Sequence, residues 1–285
     1  MASLSKFQEF KVMDVDELFQ DFSKKERKDY TSWNENELET FRNIVIEQNI
    51  NCPLDDMFLL SFLRARKFER ERALKLLKNY LSSRQKNQDV FGDYSPLAMK
   101  EYLDMKVHGY FTHTDDKGQI VGIGRCPYWD PSKMSFKTII KGLLLFLDAG
   151  LTGHLLQVNG FVLILDAKTL SWRHLLHLTP STVHAIISLL FQSLPVKFKG
   201  IHVVNIGKFV HAFYMAFYPF IPYKIKKRVH LHSSGMESLH KYIDPRHLPA
   251  DYGGELPLFD PTECNNNLIK FQEFFENRQI YYSVI

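Results

Sequence analysis

The sequence predicts an α/β protein: an N-terminal helical domain followed by an α/β domain built on a mostly parallel sheet. Three observations carry that reading. Residues up to about 90 place apolar side chains at three- and four-residue spacing with charges opposite. After Pro131, long helical patterns alternate with short, continuously apolar runs such as Phe161-Val162-Leu163-Ile164-Leu165. A strand that is apolar at every position is covered on both faces, and strand–helix alternation goes with parallel pairing.

The elements follow in order. From Asp55, the run DDMFLLSFLRARKF opens on acids and closes on Arg64, Arg66 and Lys67, as the helix dipole favours. Glu69 to Gln85 puts Ala73, Leu74, Leu77, Tyr80 and Leu81 on one helical stripe. Lys106 to Thr114 and Gln119 to Cys126 have strand character around the turn Asp115-Asp116-Lys117-Gly118. Helices are expected near 135–157, 181–193 and 208–218, and strands at Phe161 to Leu165, Ile201 to Ile206 and Val229 to His232. Thr179-Pro180 supplies a cap and a first-turn proline. Beyond 260, Leu268, Ile269, Phe271, Phe274 and Phe275 predict one final amphipathic helix. The expected division is 1–90 helical, 91–260 α/β, and 261–285 a C-terminal helix and tail.

Composition bounds the function. The 285 residues are 45% hydrophobic and 24% charged with a net charge of +4, an ordinary globular balance. Cys52, Cys126 and Cys264 are odd in number and lack CxxC spacing, which favours reduced thiols in the cytoplasm. The N-terminus has no continuous hydrophobic region, and the apolar stretch Ile139 to Leu165 is interrupted by Lys141, Asp148, His154 and Asn159. It is a poor membrane span, so any membrane contact is expected to be peripheral and transient.

The charge is unevenly distributed. From Ala167 to Met236, seventy residues contain no Asp or Glu but nine Lys/Arg and seven His. Within that stretch the apolar segment around Phe209, Phe213 and Phe217 abuts Lys224, Lys226, Lys227 and Arg228. Apolar side chains beside basic ones suit an anionic membrane surface. Nucleic acid fits less well, because the aromatics form a near-continuous apolar segment rather than a spaced stacking platform. Pro219-Phe220-Ile221-Pro222 interrupts the aromatic helix and would let it move as a unit. The bland readings, a buried core helix and a solvated charged face, compete about equally.

Catalytic and cofactor motifs are absent: there is no G-x-S-x-G, P-loop, H-E-x-x-H or strand-terminal G-x-G-x-x-G. No catalytic residue, cofactor or metal is expected. Asp166 stands where an α/β enzyme could place an acid, but such an aspartate more often caps a turn. His230 and His232 share a strand face, and without a third ligand nearby they read as structural.

These residues resemble the CRAL-TRIO lipid-transfer family, close to its α-tocopherol transfer, retinaldehyde-binding and clavesin branch. The resemblance runs over residues 35 to 260. It is carried by FLRARKF and LLKNY, YWDP at 128–131, NGFVLILD at 159–166, LTPS at 178–181, the stretch Phe191 to Asn205, KIKKRVHLH at 224–232 and LPADYGGEL at 248–256. It implies a non-enzymatic α/β domain whose sheet and helices enclose a pocket for one lipid, with a gate helix near 208–218 carrying Phe209, Phe213 and Phe217 turned inward in solution. Pocket residues are expected among Ile140, Leu143, Leu147, Phe161, Leu163, Ile187, Leu190 and Leu194. Matched to the tocopherol protein, a phosphoinositide site falls on Arg66, Lys197, Lys199, Lys224 and Arg228, with Lys226 and Lys227 beside them. Lys199 stands where that protein has arginine, and lysine cannot make the planar bidentate pair with phosphate. Leu143 and Leu147 stand where it has serines. The expected function is an intracellular carrier of a tocopherol-, retinoid- or terpenoid-like molecule, monomeric and exchanging at phosphoinositide membranes. The alternative is a lipid-sensing module that signals to a protein partner.

Overall fold

Asn34 accepts hydrogen bonds from the backbone N–H groups of Asn36 and Glu37 and so starts helix α1 (Glu35–Glu47). Asp55 does the same for α2 (Asp56–Ala65), accepting from Phe58 N. Helix α3 (Arg70–Lys86) follows, and the three bury Leu38, Phe41, Leu59, Leu63, Leu76, Leu77 and Tyr80 against one another and against the second half of the chain. In α3 the expected stripe residues Ala73, Leu77, Tyr80 and Leu81 are buried, with a shift only at its edge. Leu76 and Arg84 are buried, whereas Leu74 is half-buried. The computed structural model describes residues 14–19 and 33–282, with the side chains of Phe213, Ala216, Phe217 and Phe220 outside that description.

Five strands form one sheet in chain order: β1 (His108–Thr114), β2 (Ile120–Arg125), β3 (Phe161–Asp166), β4 (Phe198–Val204) and β5 (Val229–Leu231). β1 and β2 are an antiparallel hairpin closed by Asp115 to Gly118, where Gly118 adopts φ +67°. From β2 onward every pairing is parallel. Because each crossover steps in the same direction along the sheet, the right-handed rule places all connecting helices on one face. Those helices are α4 (Phe136–Gly150), α5 (His154–Asn159), α6 (Pro180–Ile187) and α7 (Lys208–Phe217).

The two sheet faces therefore carry different cores. Phe161, Leu163, Phe198 and Ile201 join the large core with α3 and α4. Their neighbours Val121, Ile123, Val162, Ile164 and Val204 face Leu239, Ile243, Leu248 and Tyr252 from the chain after β5. This alternation is why the run Phe161 to Leu165 is apolar at every position.

Thr179 caps α6 as expected, accepting from Thr182 N, with Pro180 at the first position. The helix expected over 181–193 is two pieces, α6 and a π-helical turn at Ser188–Ser193. The one expected over 135–157 is also two, because the chain turns at residues 151–153 before α5. The single C-terminal helix is α8 (Thr262–Ile269) and α9 (Gln272–Gln279), which bury Leu268, Phe271 and Phe275 across the break.

Candidate functional site

Between the sheet and α4 lies an apolar cavity with about 50 Å³ of free volume. Ile120 of β2, Phe161 of β3 and Leu143, Phe146 and Leu147 of α4 form its wall; α8 adds Leu268, and Phe271 follows. Glycine shapes the floor: a Cβ at Gly122 would run into the Phe161 ring, so the strand lets that ring lie across it. The outer wall is Val15, Leu18 and Phe19, from a single 3₁₀ turn at Val15–Leu18 and the residue after it. Sequence reasoning missed these three, although their i, i+3, i+4 spacing was a signal.

Of the eight expected pocket residues, Leu143, Leu147 and Phe161 meet at this cavity. Ile140 instead lines a separate cleft of about 240 Å³ with Val90, Phe136, Ile186 and Leu189. Leu163, Leu190 and Leu194 are packed in the large core, and Ile187, close to the last two in the chain, is buried as well.

The basic residues are organised by the parallel sheet. Lys197 and Lys199 stand at the start of β4 and Arg228 immediately before β5, where its carbonyl accepts from Ile201 N at 2.7 Å. Parallel strands begin at one edge, so these side chains gather there. Arg66, at the C-terminal end of α2, is half-buried, and burial followed by the Arg72 charge lowers its pKa. Burial also lowers that of Lys197, with further contributions from Lys199, Arg64 and Lys67, which places Lys197 among like charges. Lys224 and Lys226 lie on the short turn Tyr223–Lys226. Lys226 Nζ stands 4.3 Å from the Tyr218 ring centroid and Lys227 Nζ 4.5 Å from that of Tyr223. Among the described residues, no carboxylate forms an ion pair with any of these seven cations.

Helix α7 corrects the expected inward set. Phe209 is 66% exposed, while Val210 is 8% exposed and Tyr214 half-buried. The packed i, i+4 stripe thus begins one residue later than Phe209, about 100° around the helix. Phe213 and Phe217 belong to the backbone of α7, but their side chains lie outside the described ones. Met215 and, beyond the helix, Tyr218 and Tyr223 are exposed.

The remaining candidates are structural. Asp166 is buried and accepts from Lys168 N, Asn205 Nδ2 and Tyr252 Oη, clasping the end of β3. His232 Nε2 lies 3.0 Å from His202 Nδ1, and His230 stacks on His202 with centroids 4.9 Å apart. Sequence reasoning missed His202, which comes from the adjacent strand. Among the described residues no group of three or more His, Cys, Asp or Glu is placed to hold a metal ion.

The profile of the CRAL/TRIO domain matches residues 104–254, and that of the CRAL/TRIO N-terminal domain matches residues 14–79. The chain belongs to the CRAL/TRIO family. Within the family it is similar to clavesin-2 of Homo sapiens, 38% identical over 208 residues, covering 72% of this chain and 64% of that protein. Clavesin-1 of Rattus norvegicus matches at the same identity over 72% of this chain and 59% of its own length. The match thus spans about three-fifths of these relatives. The crystal structure of Sfh5 aligns with 86% of this chain and 99% of its own at 14% identity, with a TM-score of 0.44. The CRAL/TRIO region begins at the end of the short helix Lys100–Asp104 just before β1, contains the whole sheet and α7, and closes in the loop after Tyr252.

Proposed function

We propose that this chain is a lipid carrier that holds one small hydrophobic molecule, tocopherol-, retinoid- or terpenoid-like, between sheet and helices and exchanges it at phosphoinositide-containing membranes. The observation that carries the reading is the apolar cavity bounded by Leu143, Leu147 and Phe161 in a CRAL/TRIO chain. A molecule of some twenty carbons gains on the order of 10 kcal/mol or more by leaving water, at about 0.8 kcal/mol per CH₂. Spontaneous release into water is then slow, and exchange needs a membrane as the destination.

The exposed faces supply a means of finding one. Among the described residues, Arg66, Lys197, Lys199, Lys224, Lys226, Lys227 and Arg228 present cations without carboxylate partners, which suits a phosphorylated headgroup. Phe209, Met215 and Tyr223 stand outside on α7 and the turn that follows, where an interface can receive them. Lys226 over Tyr218 joins the two, because the cation that would meet a headgroup rests on the ring next to the gate helix. Among the described residues no helix is long and apolar enough to cross a membrane, so the proposed contact is peripheral. With Asp166 engaged in a structural clasp, we read the chain as a carrier and not as an enzyme.

Extraction of the purified full chain followed by mass spectrometry tests the proposal. The expected result is one hydrophobic lipid in near-stoichiometric amount, strongly reduced in Leu147→Trp, whose indole fills the cavity without shifting the urea-unfolding midpoint greatly. Lipid-free wild-type protein that also fails to take up retinoids, tocols or terpenoids from vesicles would contradict it.

A further inference from the structure

We infer that Val15, Leu18 and Phe19 form a removable end wall of the lipid site and set the length of the hydrocarbon it accepts. The inference rests on the proposed reading that Leu143, Leu147 and Phe161 line that site. Those residues also line the cavity that the three N-terminal side chains close, so a ligand lying against them points its apolar end at Val15, Leu18 and Phe19. Among the described residues, none of α6 or α7 is in the cavity wall. The end wall and the gate are therefore different parts of the chain.

The wall is a short segment whose Val15 and Phe19 pack into the large core. It consists of a four-residue turn capped by Asp14, whose carboxylate accepts from Asp16 N at 2.9 Å. Val15 and Phe19 are buried, and the Phe19 ring packs on Tyr110 of β1 with centroids 5.8 Å apart. One anchor is polar. The buried Asp16 carboxylate accepts from His154 N at 2.7 Å and Leu155 N at 3.1 Å, at the start of α5. Charge-assisted bonds of this kind are stronger than neutral ones, and here they hold three apolar side chains against the cavity. With these seated, about 50 Å³ is free, room for the tip of a hydrocarbon and not for its length. The chemical class that reads such a wall is an unfunctionalised chain or isoprenoid end, since a polar terminus buried there would lack partners. A longer chain gains burial only by displacing the turn.

The full-length protein tests this with the straight-chain primary alcohols from octanol to octadecanol, each competing with cis-parinaric acid. In the wild type, affinity should rise about fourfold per methylene and then stop rising at a limiting length. In Phe19→Ala, which enlarges the cavity, and in Asp16→Ala, which removes the polar anchor, the limit should move to longer alcohols, by about two methylenes and hence roughly sixteenfold in affinity at the long end. Leu147→Trp should shorten it. If the limit stays fixed in both N-terminal variants while Leu147→Trp shortens it, the end wall is wrong and the lipid-site reading survives. If Leu147→Trp also leaves it unchanged, both fail. Should Asp16→Ala prove unfolded, limited proteolysis of the wild type decides: saturating octadecanol should expose the turn at residues 15–18 to cleavage more than octanol does, and equal cleavage overturns the inference.

Discussion

Asp148 lies in the last turn of α4, directly after the apolar run Leu143 to Leu147, and both it and Arg84 of α3 are buried. Arg84 Nη2 donates to both carboxylate oxygens at 2.8 and 2.7 Å, and Tyr94 Oη donates to the second at 2.7 Å. The guanidinium carbon stands 3.3 Å from the Tyr80 ring centroid, and Tyr80 Oη meets Tyr282 Oη at 3.0 Å, which ties the chain's far end to the same node. Removing one charge leaves the other buried and uncompensated, so Asp148→Asn should cost about 3 to 5 kcal/mol. The double variant Arg84→Met/Asp148→Leu should lose less than the single one. Urea denaturation measures both, and a single-variant loss below about 1 kcal/mol would refute the account. In the sequence Asp148 is visible only as an interruption of an apolar stretch. Its partner lies sixty-four positions away, and no local pattern links them.

At the scale of elements, β4 and β5 share an imidazole stack. His202 and His230 are register partners, His232 bonds His202 and Ser238, and the Tyr242 ring lies against all three. Burial lowers the pKa of each. His202 is brought to about 3 by burial, then by His230, His232 and Lys117. A neutral folded imidazole against a protonatable unfolded one contributes stability above the unfolded pKa of about 6.5, lost as pH falls below it. His202 alone should withdraw about 2 kcal/mol between pH 7 and pH 5. His202→Phe should flatten the dependence of unfolding free energy on pH by about one proton over that window; an unchanged slope would show that His202 does not titrate this way. The same scale shows what periodicity reads and what it does not. The strand at Phe161 to Leu165, the hairpin turn and the Thr179 cap were legible because short-range chemistry fixes them. The packed stripe of α7 was misassigned at Phe209, since apolar residues run around most of α7 and only packing selects Val210. The break between α8 and α9 was missed because buried positions continue across it.

For the whole molecule, strand order follows chain order, and that topology brings together the parts the proposed function needs. It sends every crossover helix to one face, where an apolar chamber forms, and it gathers the N-terminal ends of β4 and β5, with their lysines and arginine, at one edge. The α/β class and the family resemblance were readable over two hundred residues. The cavity's position was not, because Val15, Leu18, Phe19, Leu268 and Phe271 reach it from the two ends of the chain. The central claim is that anionic headgroups and the bound lipid compete through the gate, so that phosphoinositide binding lowers ligand affinity and ligand lowers phosphoinositide affinity in equal measure. Each basic side chain near such a surface adds about 1 kcal/mol of attraction. The most direct test is the release rate of cis-parinaric acid from the loaded full chain onto vesicles with and without a phosphoinositide, in the wild type and in Lys224→Ala/Arg228→Ala. The account predicts faster release onto phosphoinositide vesicles for the wild type, loss of that acceleration in the double variant, and nearly unchanged affinity for the probe in solution. A double variant that still releases faster onto phosphoinositide vesicles, with the wild-type salt dependence, would contradict it.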